Sequence, residues 1–162
     1  NSTCHFNGSR YSVGMLWQTE DTKLPNNFGQ AKALLLSLEK RLEKTPEIKV
    51  LYAETINADL AKGYVRKLTA EEVKSTANSQ QWYLPHHPVK NQHKPDKIRR
   101  VENAACRFNG TSLNDVLLPG PDLLCDLIGI LIRFRLFPTA VCGDIEAMVM
   151  HVEVPAGEQN FL

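Results

Sequence analysis

Asp144 and Glu146 stand two residues apart, just after Thr139-Ala-Val-Cys-Gly143, a short run of small and apolar residues bounded by Pro138. That run predicts a buried strand. A carboxylate at the end of a buried strand emerges where a ligand can reach it. Upstream, Lys90, Lys94, Lys97, Arg99 and Arg100, and beyond them Arg107, gather around Asp96. A basic segment and an acidic strand end together suit phosphoryl transfer. Lysine and arginine neutralise a triphosphate, and a carboxylate holds magnesium through hard oxygen donors. Two such ions activate a 3′-hydroxyl and stabilise the leaving pyrophosphate. Each half also has an ordinary alternative: an Asp that caps the turn after a strand, and a solvated basic loop.

The elements that must position these groups follow from periodicity. Residues 1–29 are irregular, apart from short alternation over Arg10–Trp17 that predicts one strand. Leu24-Pro-Asn-Asn27 is a loop, and either Asn can cap the next helix. That helix is expected from about Gln30 to Lys44, with Ala31, Leu34, Leu35, Leu38 and Leu42 on one face. Thr45 reads as the N-cap of a second helix, with Pro46 at its first position. Ile48, Leu51, Tyr52, Ile56 and Leu60 form its apolar face, and Lys62-Gly63 ends it. Tyr64–Leu68 reads as a strand, and 69–81 as a polar loop with about one helical turn.

Gln81–Val89 and Lys97–Val101 have strand composition around a polar turn, 90–96, giving a hairpin with a basic tip. Gly110–Asp115 is a loop, and Leu118-Pro-Gly-Pro-Asp122 is a hard break. A helix opened by Pro121 or Asp122 then runs to Arg133 and Arg135, apolar around most of its circumference and therefore expected to be buried. After Asp144, Ala147–Met150 predicts one helical turn and His151–Val154 a second strand.

Composition narrows the function classes. The chain has 162 residues, 43% hydrophobic and 23% charged, which suits one globular domain with its own core. Net charge is +1, so any nucleic-acid surface must be local. The longest apolar run, Leu127–Ile132, is too short to span a bilayer, and no basic-then-apolar leader opens the chain. The first residue is Asn and the last are Gln-Asn-Phe-Leu162, which reads as a piece of a longer polypeptide. Cys4, Cys106, Cys125 and Cys142 show no C-x-x-C spacing, so zinc is not expected and free, mostly buried thiols are. That pattern and the missing leader place the chain inside the cell. Asn7-Gly-Ser9 and Asn109-Gly-Thr111 fit the glycosylation pattern but read as turns.

Several stretches, taken in order, carry a resemblance. They are Leu84-Pro-His-His-Pro-Val89, Lys97-Ile-Arg-Arg-Val101, Gly110-Thr-Ser-Leu-Asn-Asp115, Leu118-Pro-Gly-Pro-Asp-Leu123, Arg133-Phe-Arg135 and Asp144-Ile-Glu-Ala-Met148. Together they resemble the reverse transcriptase of Bel/Pao-type long-terminal-repeat retrotransposons. Leu24-Pro-Asn-Asn27, Ser37-Leu-Glu-Lys-Arg-Leu42 and Lys62-Gly-Tyr-Val65 resemble the lead-in of the same family, so the likeness spans almost the whole chain. No single stretch is specific; their joint order and spacing are.

The resemblance implies an α+β fold that is part of a right-hand polymerase. Residues 1–29 would be a lead-in, 30–118 a fingers-like subdomain, and 119–162 the start of the palm. Asp144 would be the first catalytic aspartate and a magnesium ligand (manganese being the substitute ion), and the Ile145 carbonyl a second ligand. Lys97 or Arg99, with Arg99 preferred, would meet the incoming triphosphate. Val149 would sit at the sugar gate, and Lys90, Lys94 and Arg100 would face nucleic acid. Partners would be an RNA or DNA template-primer, dNTP and the rest of the pol polyprotein, with no membrane; the setting would be cytoplasmic and particle-associated.

The family's Tyr-x-Asp-Asp loop, which carries the other catalytic aspartates, does not occur in these residues, so the fragment alone is expected to be inactive. Three places depart from the family pattern. Val101-Glu-Asn103 replaces Val-Phe-Asp, Val149 replaces Phe, and Met150-His151 replaces His-Gln. A decayed, non-catalytic remnant that binds nucleic acid or a protein partner is therefore the alternative.

Overall fold

The computed structural model describes residues 4–75, 80–91 and 94–162, with backbone alone at residues 75, 94 and 95. The fold is α+β. Strands β1 (Cys4–Phe6) and β2 (Tyr11–Val13) pair antiparallel, and β5 (Val152–Glu153) joins the other edge of β2 in parallel. Asn7-Gly8 makes the first turn. Asn7 Oδ1 accepts from the N–H groups of Ser9 and Arg10 at 3.0 and 2.8 Å, and Gly8 takes φ +98°.

Helix α1 spans Phe28–Glu43 and α2 spans Pro46–Ala61, close to the periodicity. Asn26 supplies an oxygen to the Phe28 N–H at 2.9 Å. Asn27 instead bonds both backbone polar groups of Tyr83, at 2.7 and 2.8 Å. Thr45 does not cap α2: its hydroxyl donates back to the Arg41 carbonyl at 3.2 Å, so Pro46 alone marks the start. Lys62 and Gly63 (φ +66°) end the helix as expected.

The strand expected over Tyr64–Leu68 does not form. The Tyr64 ring is held at the end of α2, with the Arg10 guanidinium 5.4 Å and Lys62 Nζ 5.8 Å from its centroid, and residues 64–68 pair with no strand among the described residues. Thr69-Ala-Glu-Glu72 is instead a capping box that opens α3 (Ala70–Ser75). The Thr69 N–H, and then Arg66, hold the Glu72 carboxyl below its usual range.

Strands β3 (His86–Asn91) and β4 (Lys94–Glu102) form the expected hairpin, with Val89 opposite Arg99, His86 opposite Glu102 and a bulge at Lys90/Asn91. The turn residues 92 and 93 lie outside the described residues. Asn109 (φ +50°) and Gly110 (φ +82°) make a two-residue turn closed by paired bonds between Phe108 and Thr111. A second capping box, Ser112 with Asp115, starts α4 (Leu113–Val116) inside the segment expected to be a loop.

The core is split in two. Leu24, Trp82 and Leu113 form one cluster, covered by Met15, Trp17, Phe108 and Phe161. Leu38, Tyr52 and Ile98 form the other, where α1, α2 and β4 meet. Of the α1 stripe, only Leu38 is buried. The C-terminal segment closes over the first cluster: the Glu158 carboxylate accepts from the Met15 N–H at 2.7 Å and from Trp17 Nε1 at 3.0 Å.

Residues 119–149 depart most from expectation. The helix is α5, Leu127–Phe134, and none of its residues is buried. It starts five residues after Asp122 because Asp126 caps it, accepting from the Ile128 and Gly129 N–H groups at 3.3 and 2.8 Å. Both clusters draw on residues 15–117 and Phe161, so this helix contributes to neither among the described residues. The buried strand over Thr139–Gly143 is absent; the segment is irregular and Val141 is 86% exposed. The run pairs with neither sheet among the described residues. The cysteines are not mostly buried: Cys4, Cys125 and Cys142 are exposed and Cys106 is half-buried, and none of the four belongs to either cluster. Among the described residues, no helix is long and apolar enough to cross a membrane.

Candidate nucleic-acid interface

Strand alternation sorts the basic residues of β4 onto opposite faces. Ile98, Arg100 and Glu102 share the face that packs on α2; Ile98 is buried against Tyr52 and Leu38. Lys97, Arg99 and Val101 share the other face, with His87 and Val89 from β3, and Lys97 and Arg99 are exposed. Neither cation has an ion-pair partner among the described residues.

Arg100 is committed elsewhere. Its side chain is 13% exposed, with Nη2 2.9 Å from Glu102 Oε1 and Nε 3.3 Å from Asp59 Oδ2. The contact with Asp59 is Coulombic, because Nε lacks the alignment of a hydrogen bond. Arg100 therefore fastens the hairpin to α2. Lys90 is exposed but stands opposite Ile98, on the α2 side of the hairpin. The side chain of Lys94 lies outside the described residues. Arg107, counted in the same basic run, is bound to Asp115 at 3.0 Å and to the Gly110 carbonyl at 2.9 Å. The outer face thus joins Lys97 to Arg99 and leaves Lys90 and Arg100 off it.

Beneath the hairpin lies a polar pair that the sequence reading missed. The Tyr52 hydroxyl and His86 Nδ1 share a hydrogen bond at 2.5 Å, with ring centroids 5.9 Å apart. Burial, partly offset by Arg100, pushes the Tyr52 phenol up to about 12. Burial first, then the Arg100 charge, lowers the His86 imidazole, while Glu102 opposes them. Ile98 and Arg100 two residues apart already implied that one arginine faces inward. Tyr52 and His86, 34 residues apart, meet only once the hairpin is docked.

Asp144 lies on an exposed, irregular segment rather than at a strand end. Ile145 is exposed, and Val149 sits in a 3₁₀ turn, Met148–His151. Ala147, which precedes that turn, takes φ +50°, a left-handed conformation unusual for a residue with a Cβ. Glu146 reaches Lys62 at 3.6 Å across an exposed gap. Asp59 and Lys62 lie three residues apart, hence on one face of α2. One end of that helix therefore moors both the hairpin, through Arg100, and the Asp144 segment, through Glu146.

As a magnesium site the donor set is incomplete. Asp144 and the Ile145 carbonyl provide adjacent oxygens, but Glu146 is turned to Lys62, and no group of three acidic, His or Cys side chains converges among the described residues. Comparison with protein-family models, curated proteins and solved structures returns no match to this chain.

Proposed function

We propose that the chain is the fingers and the entrance to the palm of an RNA-directed DNA polymerase of the Bel/Pao retrotransposon type. In that setting its partners are a template-primer, dNTP and the remainder of the pol polyprotein, inside the cell. The observation that carries the reading is the outer face of the hairpin. Lys97 and Arg99, the two residues that the family resemblance assigns to the triphosphate, lie two positions apart on β4, exposed and without an ion-pair partner among the described residues. An unpaired Lys–Arg pair on an extended ribbon suits phosphate, because both retain their donors for a ligand. Asp144 then waits for carboxylates from outside these residues, with magnesium supplying the charge that steadies the attacking and leaving oxygens.

Salt dependence tests the face. Binding of a short primed template should weaken as salt rises, and Lys97→Ala with Arg99→Ala should lower the slope of log K against log salt by about 1.5–2, near 0.9 per lost duplex phosphate contact. An unchanged slope, or no binding at low salt, would show the face to be a solvated loop.

A second reading, a non-catalytic remnant that keeps nucleic-acid binding, draws on Asn103 and Val149. Both replace residues that the family uses at functional places. Such a remnant keeps the Lys97/Arg99 salt dependence and gives no turnover in any context.

A further inference from the structure

We infer that the β3–β4 hairpin is a pH-gated arm: proton uptake by His86 releases it from α2. The inference does not depend on what the outer face binds.

The hairpin is held on α2 at three points: Ile98 in the cluster with Tyr52 and Leu38, Arg100 beside Asp59, and His86 under the Tyr52 hydroxyl. The third point is best met by a neutral imidazole whose Nδ1 accepts from the Tyr52 hydroxyl, the tautomer that keeps the hydroxyl proton bonded in a nearly closed site. Protonation turns Nδ1 into a donor. The Tyr52 oxygen then has to accept, and its own proton is left facing a nearly closed site, since Tyr52 is 3% exposed.

Every charged or titratable group around His86 bears on the outcome. From α2 come Tyr52 and, through Arg100, Asp59; from β4 come Arg100 and Glu102; on β3 itself His87 is adjacent. Glu102 is the one group favouring an imidazolium, and it is already shared with Arg100 at 2.9 Å. Burial and Arg100 outweigh it, so the docked hairpin prefers neutral His86. The sign follows. A released hairpin exposes His86, which then titrates near the ordinary value of about 6.5. Docking is at full strength above that pH and weakens as pH falls below it toward the depressed value of the docked state. The first cluster contains no group of this kind (Leu24, Trp82 and Leu113 do not titrate), so it should stay intact over the same range.

Hydrogen exchange resolved along the chain tests this, after correction for the intrinsic pH dependence of exchange. Between pH 7.5 and 5, protection over residues 86–91 and 96–102 should drop, while α4 keeps its protection. His86→Gln retains an acceptor for Tyr52 and cannot charge, so its hairpin protection should be flat across that range. The proposal is overturned if the parent shows no drop, if His86→Gln shows the same drop at the same pH, or if α4 opens together with the hairpin. Should His86→Gln fail to fold, the His86 ring signals of the parent decide by NMR. A midpoint below about 6.5 that tracks the loss of protection supports the gate, and a midpoint at or above it with the hairpin still protected overturns it.

Discussion

Arg99 and Arg100 are adjacent and have opposite assignments. One step along a strand reverses the face, so Arg99 keeps its donors for solvent while Arg100 spends its charge on Asp59 and Glu102. The alternation of Ile98 with Arg99 made this legible in the sequence. The second counter-ion was not, because Asp59 lies 41 positions away on α2 and Glu102 had been left out of the charge balance. Val149 is a residue-scale test of the polymerase reading. If it occupies the sugar gate, its short side chain leaves room for a 2′-hydroxyl that an aromatic ring would exclude by overlap. In a polymerase completed around this chain, Val149→Phe should raise discrimination against ribonucleotides by on the order of a hundredfold, about 2.7 kcal/mol. Single-nucleotide incorporation with matched ribo- and deoxyribonucleotides measures it, and equal exclusion by both versions would place Val149 away from the gate.

The helices were the most legible elements. Thr45-Pro46 and Lys62-Gly63 bracket α2 closely, because proline at a first turn and glycine after a last one act locally. Asn-Gly turns at 7–8 and 109–110 were equally local. Two capping boxes, at Thr69/Glu72 and Ser112/Asp115, were written in the sequence as Thr-x-x-Glu and Ser-x-x-Asp but not used. Strands fared worse where they needed a distant partner: Thr139–Gly143 has the composition of a strand but pairs with none among the described residues. The moorings on α2 also separate by burial. Asp59 and Arg100 are mostly buried, whereas Lys62 and Glu146 are exposed. Asp59→Asn should therefore destabilise the fold by about 2 kcal/mol, since it strips a counter-charge from a mostly buried guanidinium. Lys62→Gln should change stability by under about 0.5 kcal/mol, as an exposed ion pair contributes little. Urea unfolding of the two variants compares them, and equal effects would contradict the distinction.

Across the whole molecule, six apolar side chains are buried among the described residues, in two small clusters, and that is why the expectation of one ordinary core was too generous. Composition counts apolar residues and cannot say where they go. Much of the surplus lies in residues 118–149, where Leu123, Leu124, Leu127, Ile128 and Phe137 are all more than half exposed. The Asp144 segment belongs to this stretch, and Asp144 is in no group of three His, Cys, Asp or Glu side chains placed to hold a metal among the described residues. On the polymerase reading, a palm completed beyond these residues supplies both the missing carboxylates and the cover. The most direct measurement is primer extension with magnesium by a polypeptide that joins these residues to the remainder of such a palm, parent beside Asp144→Asn. The substitution keeps side-chain shape and removes the charge that holds a cation, so the polymerase reading predicts a rate at least about a thousandfold lower, more than 4 kcal/mol in barrier, with the circular dichroism unchanged and no extension by the 162 residues alone. An Asp144→Asn protein that extends the primer at the parental rate would contradict it.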